Sequence, residues 1–116
     1  LLVLVSCPVE NRPVNAPRLW GKMRIKVNPD SLAYNIYQKA EISETFTCNY
    51  ELNLTFRKKL EEKGLKVSGE MEDGGVRIVE LPDNPFFMGT GFVPQLSSEI
   101  NNPHPLVVAF LQAALK

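Results

Sequence analysis

The sequence predicts an α/β fold, on three observations. Strand-like and helix-like segments alternate along its 116 residues, prolines and glycines punctuate their boundaries, and the closing helix is apolar over more than one narrow stripe. Leu2–Ser6 is a short apolar run and reads as a buried strand. Pro8–Pro17 holds three prolines and two asparagines and reads as loop. Lys22–Val27 sets Met23, Ile25 and Val27 against Lys22, Arg24 and Lys26, the period-two pattern of a half-buried strand. A short helix is expected at Ser31–Gln38, capped by Asp30 or Ser31, and a short strand at Thr45–Tyr50. The clearest helix is Leu54–Lys63, with Asn53 as N-cap and Gly64 where a left-handed C-cap belongs. Leu65–Met71 and Val76–Leu81 form a hairpin around Glu72-Asp73-Gly74-Gly75, and Phe86–Phe92 a further strand. The last helix, Pro105–Leu115, begins with Pro at its first turn, and its apolar breadth calls for burial against a sheet or a neighbour.

Composition excludes several classes of function. Lys plus Arg and Asp plus Glu both number 13, with no block of like charge, which argues against a nucleic-acid surface or a polybasic membrane surface. The longest apolar runs, Leu1–Val5 and Leu106–Leu111, are too short to span a bilayer, and Leu1–Val5 lacks the basic flank and small-residue cleavage site of a signal peptide. Cys7 and Cys48 stand without a CxxC or the second half of a zinc site, so they read as reduced thiols in a cytoplasmic setting. One histidine and no acidic cluster make a metal site an unsuitable expectation, and no motif implies a cofactor. Gly74-Gly75 and Gly89-Thr90-Gly91 lack the strand–loop–helix context of a phosphate cradle. Trp20, Phe86 and Phe87 are expected in the core. Asn53-Leu54-Thr55 is formally a glycosylation sequon, but helix capping is a sufficient job for Asn53.

Three ordered segments carry a family resemblance. Gly21-Lys22-Met23-Arg24-Ile25 looks like Gly-Thr-Met-Arg-Leu of the class I glutamine amidotransferase domain of CTP synthases. Glu44 to Asn53 falls on that family's Glu-Arg-His-Arg-His-Arg-Tyr-Glu-Val-Asn. Val79 to Ser98 is similar to its Ile-Glu-Leu-Pro-Asp-His-Pro-Phe-Phe-Val-Gly-X-Gln-Phe-His-Pro-Glu-Phe-X-Ser, followed here by Pro103-His104-Pro105 and the last helix. The likeness covers nearly the whole chain, with a shortening around Lys26–Asp30. It implies a flavodoxin-like sandwich of which residues 1–116 supply only the C-terminal portion. The opening Leu1, inside an apolar run, fits an internal stretch of a longer protein, whose first half would cover the Leu2–Val5 edge and the last helix.

The same resemblance identifies what glutamine hydrolysis would need: a cysteine nucleophile on an upstream elbow, a histidine base and a glutamate that orients it. The base and orienter positions hold Val93 and Gln95. Valine has no nitrogen to take a proton, and an amide carries no charge to stabilise an imidazolium. The basic block that the family uses to hold the substrate carboxylate is replaced throughout by Thr45, Phe46, Thr47, Cys48 and Asn49. Tyr50, Glu51 and Asn53 remain and have scaffold jobs, packing and helix capping. Neither cysteine sits in a Gly-X-Cys-X-Gly elbow, so both read as small buried apolar groups. His104 reads as a cap or surface residue rather than a base.

The expectation is therefore a pseudoenzyme: a glutamine amidotransferase-like domain, catalytically degraded, with a binding or regulatory role. Its expected partners are a second copy, another protein, or a small ligand in the degenerate pocket, with neither nucleic acid nor membrane. Two rivals stand beside it. One is an active cysteine-dependent hydrolase or amidotransferase whose nucleophile lies in a missing N-terminal half. The other is a structural appendage of a larger protein.

Overall fold

The computed structural model of the chain describes residues 2–4, 20–47 and 50–116. The Pro8–Pro17 loop, Cys7, Cys48 and Asn49 lie outside the described residues. Among the described residues, seven strands and three α-helices follow in order: β1 Leu2–Leu4, β2 Gly21–Val27, α1 Leu32–Tyr37, β3 Glu41–Phe46, β4 Tyr50–Leu52, α2 Arg57–Glu62, β5 Lys66–Glu70, β6 Val76–Glu80, β7 Met88–Thr90 and α3 Pro105–Ala114. Five strands form one sheet in the order β3-β2-β5-β6-β7, and β1 pairs with β4 in a separate two-stranded ribbon. Every pair among the described residues is antiparallel.

The alternation in β2 is realised as expected. Met23, Ile25 and Val27 are buried while Lys22, Arg24 and Lys26 face solvent. β3 pairs along the length of β2, with Ile25 opposite Ile42 and Met23 opposite Glu44. The strand expected at Thr45–Tyr50 is two strands: Thr45 and Phe46 end β3, and Tyr50 opens β4. Between β2 and β3, α1 takes Ser31 rather than Asp30 as its N-cap, through a 3.1 Å bond from the Tyr34 N–H to Ser31 Oγ. A second anchor comes from far along the chain. The buried Glu80 carboxylate accepts the N–H groups of Leu32 at 2.9 Å and Ala33 at 3.2 Å, placing negative charge at the positive end of α1.

The helix expected at Leu54–Lys63 is a 3₁₀ turn, Leu54–Phe56, running into α2. Asn53 Oδ1 accepts the Thr55 N–H at 3.0 Å, and Gly64 closes the helix at φ +100°, a conformation side chains resist. The hairpin of β5 and β6 turns where expected. Its register shifts between Val67 and Gly69, and Gly69 lets the fully buried Ile78 lie flat against the backbone. β7 is shorter than the expected Phe86–Phe92 strand.

The core gathers Met23, Ile25, Val27, Ala33, Ile42, Phe46, Ile78, Phe92 and Leu106. Two expectations about apolar residues fail. Trp20 is 74% exposed, because it precedes the first paired residue of β2. Phe87 is also exposed, since it lies in the segment before β7 rather than in a paired strand. Helix α3 buries only Leu106, leaving Phe110, Leu111 and Leu115 exposed.

Candidate functional site

The end of β3 and the segment after β7 meet through their main chains. The Val93 N–H donates to the Thr45 carbonyl at 2.9 Å, joining the two stretches that the resemblance matches to the family's substrate-holding and base motifs. Thr45 and Phe46 are buried and Thr47 is half-buried; Cys48 and Asn49 lie outside the described residues. Val93 precedes a 3₁₀ turn at Pro94–Ser97, started by proline and closed by the Leu96 N–H on the Val93 carbonyl at 3.1 Å. Val93 is half-buried and Gln95 is exposed. Gln95 lines one side of a cleft of about 220 Å³ whose walls include Met88, Thr90, Val107 and Phe110. A T-shaped contact between Phe86 and Phe110, ring centres 5.8 Å apart, fixes α3 beside the cleft. A larger cleft of about 640 Å³ lies between the β2–β5 edge and α2. Its Arg57 is engaged by Glu70 at 2.6 Å and Glu61 at 3.4 Å, and the Glu70 contact holds that guanidinium protonated more firmly than usual.

The polar centre that the sequence reading missed is built on Glu44. Its side chain lies on the inward face of β3, with Ile42 and Phe46 on the same side. Glu44 Oε1 accepts the Tyr37 hydroxyl at 2.7 Å and lies 2.6 Å from His104 Nε2, and Oε2 lies 3.5 Å from Ser97 Oγ. His104 is not a surface residue, since only 5% of it is exposed. It is the cap of α3, where its Nδ1 accepts the Leu106 N–H at 3.1 Å. That bond requires a bare Nδ1, so the ring proton sits on Nε2 and points at the carboxylate. Burial, followed by the hydrogen bond and charge of Glu44, pushes the Tyr37 phenol well above the usual tyrosine range. A carboxylate on an inward strand position was the signal that partners had to exist.

The residues retained from the family motif have structural work. Glu51 Oε2 accepts from Arg77 Nη2 at 2.8 Å, with the Arg77 side chain 4% exposed, tying the two-stranded ribbon to β6. Asn53 caps the turn before α2. Tyr50, expected to pack, is half exposed. Among the described residues no three His, Cys, Asp or Glu side chains converge as metal ligands. No described helix is long and apolar enough to cross a membrane.

No protein-family model matches the chain. The CTP synthase of Microcystis aeruginosa is 43% identical over 104 residues, 84% of this chain and 19% of that protein. The CTP synthase of Helicobacter pylori is 34% identical over 105 residues, 90% of this chain and 20% of that protein. The glutaminase domain of Trypanosoma brucei CTPS, solved with bound acivicin, superposes with a TM-score of 0.86 at 23% identity, over 98% of this chain and 45% of that one. This chain belongs with the glutaminase domains of CTP synthases. Its fold is that of part of a class I glutamine amidotransferase domain, and it spans about a fifth of the length of the relatives it matches. In this CTP synthase-type fold, the segment after β7 sets Val93 beside Thr45 at the end of β3.

Proposed function

We propose that this glutaminase-type chain does not hydrolyse glutamine and serves instead in binding or regulation. The observation that carries the reading is the state of its imidazoles. The position that the resemblance assigns to the base is Val93, and the sequence's one histidine, His104, has both ring nitrogens occupied, by the Leu106 N–H and by Glu44. A general base needs a free lone pair within reach of the proton it removes. The exposed Gln95 amide lacks the charge an orienter supplies, and the arginines suited to a substrate carboxylate are absent from Thr45–Asn49. Beside Gln95 lies an apolar cleft walled by Phe86, Met88, Val107 and Phe110, suited to a ligand or a partner side chain rather than to proton transfer.

The test is ammonia release from glutamine by the purified chain. The expected result is no release above a buffer control. A turnover on the order of one per second, at the low end of ordinary enzymes, refutes the reading.

A further inference from the structure

Tyr37, Glu44 and His104 join the end of α1, the middle of β3 and the start of α3 in one buried run of hydrogen bonds. The rings of Tyr37 and His104 meet edge to face at 5.8 Å, so His104 is packed as well as bonded. The peptide N–H of His104 is held separately by Ser98 Oγ at 2.9 Å. In this arrangement the two imidazole nitrogens do opposite jobs. Nε2 donates to Glu44, and Nδ1 accepts from Leu106.

We propose that this cluster is an acid-operated latch on α3: a proton taken up at His104 Nδ1 releases the first turn of that helix while the sheet stays folded. The new Nδ1–H would face the Leu106 N–H, two donors with no acceptor between them, so the cap is lost. The bond from Nε2 to the Glu44 carboxylate survives and becomes an ion pair, which keeps the ring on the sheet side and puts the whole cost on the helix. An imidazolium also sits unfavourably at the positive end of α3. Among the described residues, the titratable groups in contact with the ring are Glu44 from β3 and Tyr37 from α1. The preceding turn offers only the Ser97 and Ser98 hydroxyls, and Pro105–Leu115 contains no charged residue. Release is confined to α3 because the helix places only Leu106 in the core, whereas the sheet buries Met23, Ile25, Val27 and Ile78.

The readout is hydrogen exchange of the 116-residue chain in a series from neutral to acid pH. After correction for intrinsic exchange, amides from Val108 to Leu111 are expected to lose protection by about tenfold, the scale of a lost N-cap. The amides of Ile25 and Ile78 are expected to keep theirs. Ring nitrogen-15 shifts should report Nδ1 unprotonated at neutral pH, with His104 protonation and α3 exchange sharing one midpoint. The variant His104→Asn keeps a capping oxygen without a titrating group and is expected to flatten the response. The proposal is overturned by α3 protection that does not change with pH, by loss of sheet and helix protection together, or by no α3 protection at neutral pH. It is equally overturned by separate midpoints, or by an unchanged response in His104→Asn. Should that variant not fold, the wild-type midpoints alone decide.

Discussion

Glu51 tests whether the retained motif residues are scaffold. Its carboxylate is 11% exposed and holds the Arg77 guanidinium, itself 4% exposed, at 2.8 Å. Glu51→Ala leaves that guanidinium buried, and among the described residues its bond from Nη1 to the Val76 carbonyl at 2.9 Å survives. Removing one partner of a buried pair costs about 3–5 kcal/mol, and the surviving bond sets the expectation at the lower end, about 3 kcal/mol. Against a total stability of about 5–15 kcal/mol this is a large fraction. With a urea slope near about 1.5 kcal/mol/M, the unfolding midpoint followed by far-ultraviolet circular dichroism moves down by about 2 M. The double variant Glu51→Leu with Arg77→Met removes both charges and is expected to recover to within about 1 kcal/mol of the original. A single-variant loss below about 1 kcal/mol, or a double variant no better than the single, would refute the structural role of Glu51.

Two further outcomes follow from the site. Val93→His combined with Gln95→Glu is expected to leave glutamine hydrolysis undetectable, since a base and an orienter act only with a nucleophile and a held substrate; ammonia release above control, or a covalent adduct of Cys7 or Cys48 with a glutamine-analogue electrophile faster than free thiol, would overturn it. Tyr37 keeps its proton in the folded chain at pH values where an unfolded phenol ionises. Its contribution is fully present below about pH 10 and is lost as pH rises above it, by up to about 1.4 kcal/mol per pH unit. Urea unfolding at several alkaline pH values should therefore show a steeper decline for the original than for Tyr37→Phe, and equal slopes would count against the buried Tyr37–Glu44 bond.

What the sequence made legible was local. The β2 alternation, the Asn53 cap, the left-handed Gly64 and the hairpin turn depend on residues within a few positions of each other, and all appear in the structure. The first half of β3 was not legible because Glu44 puts a carboxylate on the buried side, and its partner His104 lies 60 positions away. The Glu80 anchor of α1 escaped notice for the same reason, being 48 positions from Leu32. The site positions were readable only through the family likeness. Val93 and Gln95 carry no chemical signal of their own, and the bond that sets Val93 beside Thr45 uses no side chain.

That last bond bears on how such a place changes over time. The Val93 N–H meets Thr45, the Gly91 N–H meets Arg77 at 2.8 Å and the Leu96 N–H meets Val93, all through peptide groups. The loop's path is thus written in atoms every residue but proline supplies, and is largely indifferent to what is displayed at positions 93 and 95. Chemistry there can be erased, or installed, without renegotiating the architecture beneath it. The segment behaves as a socket, and its plug is the most replaceable part of the molecule.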